Sequence, residues 1–132
     1  MIEVSCALIL NHDGEILVAQ RSANMSMPLK WEFPGGKREP NESAEECLLR
    51  ELMEELNIEV QIIEQLPVNF HSYSNFAIEL IPFLCKYVKG AMLLKEHAQI
   101  KWLHPTELLA LDWADADVPI VKNFLNHPHA GS

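Results

Sequence analysis

The segment from Gly35 to Ile58, GGKREPNESAEECLLRELMEELNI, constrains the fold of this chain most strongly. Ser43 and Glu46 have the spacing of a capping box, in which two side chains satisfy the first free backbone N–H groups of a helix. Asn57 is a residue type that tolerates the left-handed conformation at which helices end. Four leucines between these signals fall within roughly 100° on a helical wheel: Leu48, Leu49, Leu52 and Leu56. The segment therefore predicts an amphipathic helix that buries its leucine face against another layer.

The predicted helix also carries three carboxylates beside its leucine face. Glu51, Glu54 and Glu55 stand at positions i, i+3 and i+4, so their side chains are neighbours. Like charges ~4 Å apart repel by about 1 kcal/mol per pair in bulk water, and by more where solvent is excluded. A divalent cation would reverse the sign of this interaction, since Mg²⁺ and Mn²⁺ prefer oxygen ligands. The alternative is an ordinary solvated acidic face.

The charge of the whole chain disfavours polyanionic partners. Its 132 residues carry 10 Lys and Arg against 19 Asp and Glu, a formal net charge of -9. A chain with this charge is not expected to bind nucleic acid polymers or anionic membranes. The length predicts one domain over residues 1–126, followed by a disordered tail at 127–132.

The cysteines and the N-terminus bear on location. Cys6, Cys47 and Cys85 are odd in number and widely spaced, which disfavours a disulfide framework or a zinc site. The first residues include an acid where a secretory signal would carry basic residues, and no apolar run is long enough to cross a membrane. These features predict a cytoplasmic protein.

Apolar runs on either side of the helix predict a β-sheet. Two runs joined by the turn signal NHDG predict a hairpin over residues 2–21. A short extended segment is expected to end at Pro34-Gly35-Gly36, with a loop to about Glu42, and further strands are expected at 60–66, 67–73, 76–88 and 99–103. Pro82 indicates an edge strand or a bulge. Short helices are predicted after Pro105 and from Asp117 to about Leu125.

The spacing of the acidic segment resembles the Nudix box. From Gly36, five residues lead to Glu42 and seven more to Arg50-Glu51, followed by an apolar residue, Met53, Glu54-Glu55 and one more residue. Asn57 stands where the box has its final glycine, a mild departure because both residues tolerate the same cap conformation.

The resemblance extends over residues 2–125 to MutT-like nucleoside triphosphate pyrophosphohydrolases. It is carried by the opening strands, Arg21 and the segments WEFPGGK, EHAQIKW and ADADVPI. It implies an α/β protein with the Nudix fold, an α/β/α sandwich around a mixed β-sheet.

The resemblance also implies roles for the acidic residues. Glu51, Glu54 and Glu55, with the Gly36 carbonyl, would hold Mg²⁺, with Mn²⁺ as a substitute. Glu96 matches a loop glutamate that relatives use for metal binding or as a general base, so the base is left open among Glu51, Glu54 and Glu96. Glu42 and Arg50 would act from behind the metal ligands, with Arg50 bracing the loop or the carboxylates of the helix. The alternatives are an exposed loop acid at Glu96 and an ordinary helix salt bridge at Arg50.

The substrate contacts follow from the same resemblance. Arg21 and Lys37 would bind phosphate, and Asp117 would read the edge of the base unless it merely caps the last helix. Three aromatic residues are candidates for stacking on the base, although aromatics in strands more often belong to the core: Phe33, Phe70 and Tyr73.

The function implied by the resemblance is Mg²⁺-dependent hydrolysis of a (d)NTP to the monophosphate and pyrophosphate. The substrate would be an oxidised purine nucleotide such as 8-oxo-dGTP, as in nucleotide pool sanitation and DNA repair, or CTP or dCTP. One alternative is hydrolysis of a nucleoside-diphosphate sugar or a dinucleoside polyphosphate. Another is a catalytically inactive nucleotide-binding regulator, which the intact acids disfavour. The partner is in each case a small nucleotide, and a monomer and a homodimer are both left open.

Overall fold

A computed structural model describes residues 1–128 as a mixed β-sheet with helices packed on both faces. The strands are β1 (Ile2–Leu10), β2 (Ile16–Gln20), β3 (Trp31–Glu32), β4 (Gly35–Lys37), β5 (Glu59–Gln65), β6 (Asn69–Ser72), β7 (Ala77–Lys89) and β8 (Gln99–Leu103). The helices are α1 (Ala44–Leu56) and α2 (Val118–Leu125), with 3₁₀ turns at Pro105–Ala110 and Asp115–Asp117.

Strands β1 and β7 form the parallel centre of the sheet. Their register runs without a break from Ile2 opposite Ile78 to Leu10 opposite Lys86. The strand order is β3-β2-β1-β7-β5, with β8 paired to β2, β4 to β1 and β6 to β7, all antiparallel. The hairpin over residues 2–21 and the mixed sheet are confirmed.

The central strands bury side chains on both faces because successive residues point to opposite sides. In β1, Cys6 and Leu8 face one core while Ala7 and Ile9 face the other. The leucine stripe of α1 covers one face through Leu48, Leu52 and Leu56, and α2 covers the other through Ile120, Val121 and Phe124. This arrangement confirms the predicted α/β/α sandwich. Leu49 lies outside the buried stripe and is 44% exposed.

Two local predictions are wrong. The predicted loop does not begin directly after Gly36, because Gly35–Lys37 is strand β4, which is paired with Val4–Cys6 of β1. Pro82 does not mark an edge strand, because β7 is bordered by β1 on one side and by β5 and β6 on the other. The Pro82 carbonyl accepts from Leu66 N at 2.9 Å, so the missing N–H faces the gap where pairing passes from β5 to β6.

The predicted tail begins inside the described part of the chain. His127 Nε2 lies 2.8 Å from Glu64 Oε1 in β5, whereas residues 129–132 lie outside the described residues. Disorder of the tail therefore stays a prediction. Within residues 1–128, no helix has the length and apolar character needed to cross a membrane.

Candidate active site

Helix α1 begins and ends as its sequence predicts. Ser43 Oγ accepts from Glu46 N at 3.0 Å, and Glu46 Oε1 accepts from Ser43 N at 2.8 Å, which completes the capping box. Asn57 has φ 56° and ψ 43°, and its N–H bonds to carbonyls of the last turn. Strand β4 runs beside α1, so that Gly36 faces Glu51. A Cβ on Gly36 would overlap the Glu51 carboxyl group, so the absence of a side chain at Gly36 is what allows β4 and Glu51 to lie this close together.

Arg50 ties the acidic helix to the preceding loop. Its Nε and NH2 donate to the two Glu42 oxygens at 3.0 and 2.7 Å. Its NH1 donates to Glu51 Oε1 at 2.8 Å and to Glu54 Oε2 at 3.0 Å, and its NH2 also donates to the Lys37 carbonyl at 3.1 Å. The Arg50 hydrogen bonds are the main reason that the pKa of Glu42 is lowered to about 2. Arg50 thus braces loop and helix together.

Glu55 has an environment different from that of its neighbours. Burial raises its pKa to about 9, with further contributions from a hydrogen bond to Glu51 and from the charges of Glu51, Glu96 and Glu32. Because the charge of Glu96 contributes to the raised pKa of Glu55, Glu96 lies close enough to the acids of the helix to interact with them electrostatically.

The donor groups fit a divalent cation. Glu51, Glu54 and Glu55 present hard carboxylate oxygens on one helix face, and the backbone of Gly36 approaches the Glu51 carboxyl group without a side chain between them. Burial, and then the neighbouring carboxylates, raise the pKa of Glu55, and a bound cation would oppose both effects because it favours the charged form. In residues 1–128, no three acidic, histidine or cysteine side chains converge as a preformed metal site, and Arg50 already engages two of the acids.

A cavity of about 670 Å³ opens beside the acidic helix. Gly36, Lys37, Glu51 and Glu55 line one part of it. Glu42, Arg50, Glu54 and Glu96 do not line the cavity. Another part has largely apolar walls, which include Ile2, Val4, Met25, Met27, Phe33, Tyr73, Phe76, Ile78, Leu80 and Ala116, with Asp117 among them. The cavity therefore joins charged groups suited to phosphate and metal with an apolar region suited to a ring.

Asp117 stands at the N-cap position of helix α2, but its side chain does not cap the helix. Its side chain makes no capping hydrogen bond, and Oδ2 instead accepts from the backbone N–H of Phe33 at 3.0 Å. The residue is only 6% exposed, and burial followed by repulsion from Glu32 raises its pKa to about 8. At neutral pH its carboxyl group is therefore protonated, and it can both donate and accept hydrogen bonds at the cavity wall.

The candidate aromatic residues separate into different environments. Phe33 is buried and packs on Trp113, with ring centroids 4.8 Å apart, although it also reaches the cavity wall. Tyr73 lines the cavity, and its hydroxyl accepts from Ala116 N at 3.2 Å. Phe70 is 62% exposed and does not line the cavity. Phe76, which the sequence did not single out, lies 5.1 Å from Tyr73 between ring centroids.

The candidate phosphate-binding residues both line the cavity. Lys37 is exposed there. Arg21 is held by Glu32 Oε1 at 2.6 Å and by two bonds to Ser26. Glu32 also meets the buried His97, and neither residue was a sequence-predicted site residue. The sequence did contain a signal for each of these two residues. Glu32 stands in the WEFPGGK segment, and His97 directly follows Glu96.

The family assignment agrees with this geometry. Residues 1–124 match the model of the NUDIX domain. The chain belongs to the NUDIX family. Membership in this family of hydrolases implies an enzyme that acts on nucleotide phosphoanhydride bonds and needs a divalent metal ion.

Curated relatives of this NUDIX protein include two Escherichia coli (strain K12) enzymes. CTP pyrophosphohydrolase is 39% identical over 95% of this chain and 92% of its own length. 8-oxo-dGTP diphosphatase is 30% identical over 91% of this chain and 93% of its own length. Among solved structures, the MutT protein of Methanosarcina mazei Go1 has a TM-score of 0.84 at 28% identity, covering 93% of this chain and 91% of that protein.

Replacing Asp117 with Asn is expected to flatten the dependence of stability on pH. Because the pKa is raised from an ordinary 3.8 to about 8, the folded protein holds more protons than the unfolded chain between these values. Ionisation of Asp117 therefore lowers the free energy of unfolding as pH rises through this window. Asn cannot ionise, so the free energy of unfolding of Asp117→Asn should not show this loss. Relative to wild type, it should rise by on the order of a few kcal/mol as the pH is raised from 5 to 8.5.

Urea denaturation of both proteins at several pH values measures this difference. Asp115→Asn is a matched control, because Asp115 is exposed. A wild-type minus Asp117→Asn difference that stays constant from pH 5 to 8.5 would contradict the protonated state of Asp117.

Proposed function

We propose that this NUDIX protein hydrolyses nucleoside triphosphates to the monophosphate and pyrophosphate, with Mg²⁺ as its metal and Mn²⁺ as a substitute. The observation that carries the proposal is the single cavity that runs from Glu51 and Glu55 to Tyr73 and Asp117. One end offers carboxylates and Lys37 for a metal-bound polyphosphate, and the other offers an apolar wall with one buried polar group for a base. The substrates named for the two Escherichia coli relatives, CTP and 8-oxo-dGTP, are the first candidates.

The acidic helix would hold the metal through Glu51, Glu54 and Glu55, with Glu96 reaching the same region. When bound, the cation would neutralise charge on the polyphosphate and lower the pKa of a water molecule bound to it. Arg50 keeps Glu51 and Glu54 in fixed orientations, so that little reorganisation is needed on binding. Glu51, Glu54 and Glu96 are the candidate general bases.

The other cavity residues would bind and select the nucleotide. Lys37 and the remaining N–H groups of Arg21 would contact phosphate oxygens. Tyr73 and Phe76 offer a ring surface at the apolar end. Asp117, protonated at neutral pH, would pair with a base edge that offers both an acceptor and a donor, a pattern that pyrimidine and oxidised purine edges both contain.

The proposal is tested by hydrolysis of a nucleotide panel in ¹⁸O-labelled water. The panel contains CTP, dCTP, 8-oxo-dGTP, the canonical triphosphates, ADP-ribose and diadenosine tetraphosphate, each with Mg²⁺, with Mn²⁺ and after metal removal by EDTA. We expect monophosphate and pyrophosphate as products, and loss of turnover in EDTA.

Other outcomes select other functions. Label found only in orthophosphate would indicate an ordinary phosphatase, and fastest turnover of ADP-ribose or diadenosine tetraphosphate would select the corresponding Nudix activity. Nucleotide binding without turnover would indicate a regulator. Sedimentation analysis would decide between the proposed monomer and homodimer.

A further inference from the structure

Glu32 lies at the centre of a chain of three side chains on the cavity wall. Its Oε1 accepts from Arg21 NH1 at 2.6 Å, and its Oε2 lies 2.9 Å from His97 Nε2. Because a carboxylate can only accept, His97 Nε2 carries the proton and donates it. Both oxygens of Glu32 are thus used to hold residues that are far apart in the sequence.

The two partners of Glu32 belong to different segments around the cavity. Arg21 donates from Nε to the Ser26 carbonyl at 2.7 Å and from NH2 to Ser26 Oγ at 3.0 Å, which fixes the segment 22–29. Met25, Ser26 and Met27 of that segment line the cavity. His97 directly follows Glu96, in the segment 90–98 between β7 and β8. Glu32 therefore joins the wall of the apolar end to the segment that carries the loop acid.

His97 is an unfavourable choice for a simple packing residue. Its side chain is 2% exposed, and Nδ1 is buried without a hydrogen-bond partner among the described residues. An apolar side chain would fill the same space without leaving a buried polar atom unsatisfied. The feature that an apolar residue would lack is the Nε2–H donor to Glu32. This argues that the donor, rather than the volume of the ring, is what the site needs.

We propose that His97 is a positioning residue for the reaction, which acts through Glu32 to hold the segment that carries Glu96 in a fixed relation to Arg21 on the cavity wall. The proposal rests on the proposed function, because Glu96 and Arg21 matter for turnover only if this cavity binds the polyphosphate. Residues that orient the groups around a metal site typically contribute about 10- to 100-fold to activity. The effect should lie in kcat, since His97 would order the reacting groups rather than add a contact to the substrate.

The test compares His97→Gln with His97→Asn. The Gln side-chain nitrogen can occupy nearly the position of His Nε2 and donate to Glu32, whereas Asn has the same amide but is one methylene too short. We expect His97→Asn to lower kcat by about 10- to 100-fold with KM changed by less than about threefold, and His97→Gln to retain kcat within about threefold. Thermal melts of both variants measure the loss of packing separately.

A second readout does not depend on turnover. Amide hydrogen exchange should become faster in both 22–29 and 90–98 in His97→Asn and stay close to wild type in His97→Gln. Equal losses of kcat in the two variants, kcat losses that follow melting temperature, or faster exchange confined to 90–98 would each overturn the proposal. If wild type hydrolyses none of the panel, the proposed function fails, while the exchange experiment still decides whether His97 links the two segments.

Discussion

Glu54→Gln is expected to lower kcat by at least about 100-fold while leaving the fold intact. The substitution keeps the size of the side chain and removes the charge that a divalent cation would bind. Glu54 has a side chain 55% exposed, and its described hydrogen bonds are with Arg50 on the preceding turn of α1. An exposed i,i+4 pair contributes only about 0.3–0.5 kcal/mol, so the melting temperature should change little.

Glu45→Gln is the matched control for this experiment. Glu45 is an exposed glutamate in the first turn of the same helix, away from the acidic cluster, so its loss should leave kcat unchanged. Steady-state kinetics and thermal melts of the three proteins give the comparison. Retention of kcat within threefold in Glu54→Gln would remove Glu54 from the metal site, and a sharply lower melting temperature would make it a structural residue.

Gly35→Ala and Gly36→Ala are expected to fail in different ways although the two residues are adjacent. A Cβ at Gly35 would overlap the backbone of Ser5 and Cys6 in β1, which cannot move because β1 is also paired with β2 and β7. We expect a loss of more than about 3 kcal/mol of unfolding free energy, or no folded protein. The three atoms nearest to a Cβ at Gly36 all belong to the Glu51 side chain, which can move aside by giving up its hydrogen bond with Arg50. Gly36→Ala should therefore fold and lose about 10-fold or more of kcat.

Gly14→Ala serves as the control for these two variants. Gly14 has φ +77° in the turn between β1 and β2, and a Cβ there would have no neighbour within 4 Å, so only backbone strain of about 1 kcal/mol is expected. Urea denaturation and kcat measurements of the three variants test the contrast. A stable Gly35→Ala protein, or full activity in Gly36→Ala, would contradict the close approach of β4 to β1 or to α1.

The sequence by itself determined the features that depend on residues close together along the chain. The capping box at Ser43, the leucine stripe, the end of α1 at Asn57 and the first hairpin all follow from local hydrogen bonding and periodicity. The spacing of Glu51, Glu54 and Glu55 also put the acids on one helix face, and the motif identified the family before any contact was known. Helix geometry makes such neighbours inevitable once the helix forms.

Only the tertiary structure decided which distant groups meet. Asp117 bonds to the backbone of Phe33, 84 residues away, and His97 bonds to Glu32, 65 residues away. Pro82 tolerates an interior strand because its neighbours change from β5 to β6 at that point. Gly35–Lys37 becomes a strand because β1 lies within reach of its backbone. Such contacts, and the burial that raises the pKa of Asp117, arise when the sheet brings separate segments together, and no local pattern encodes them.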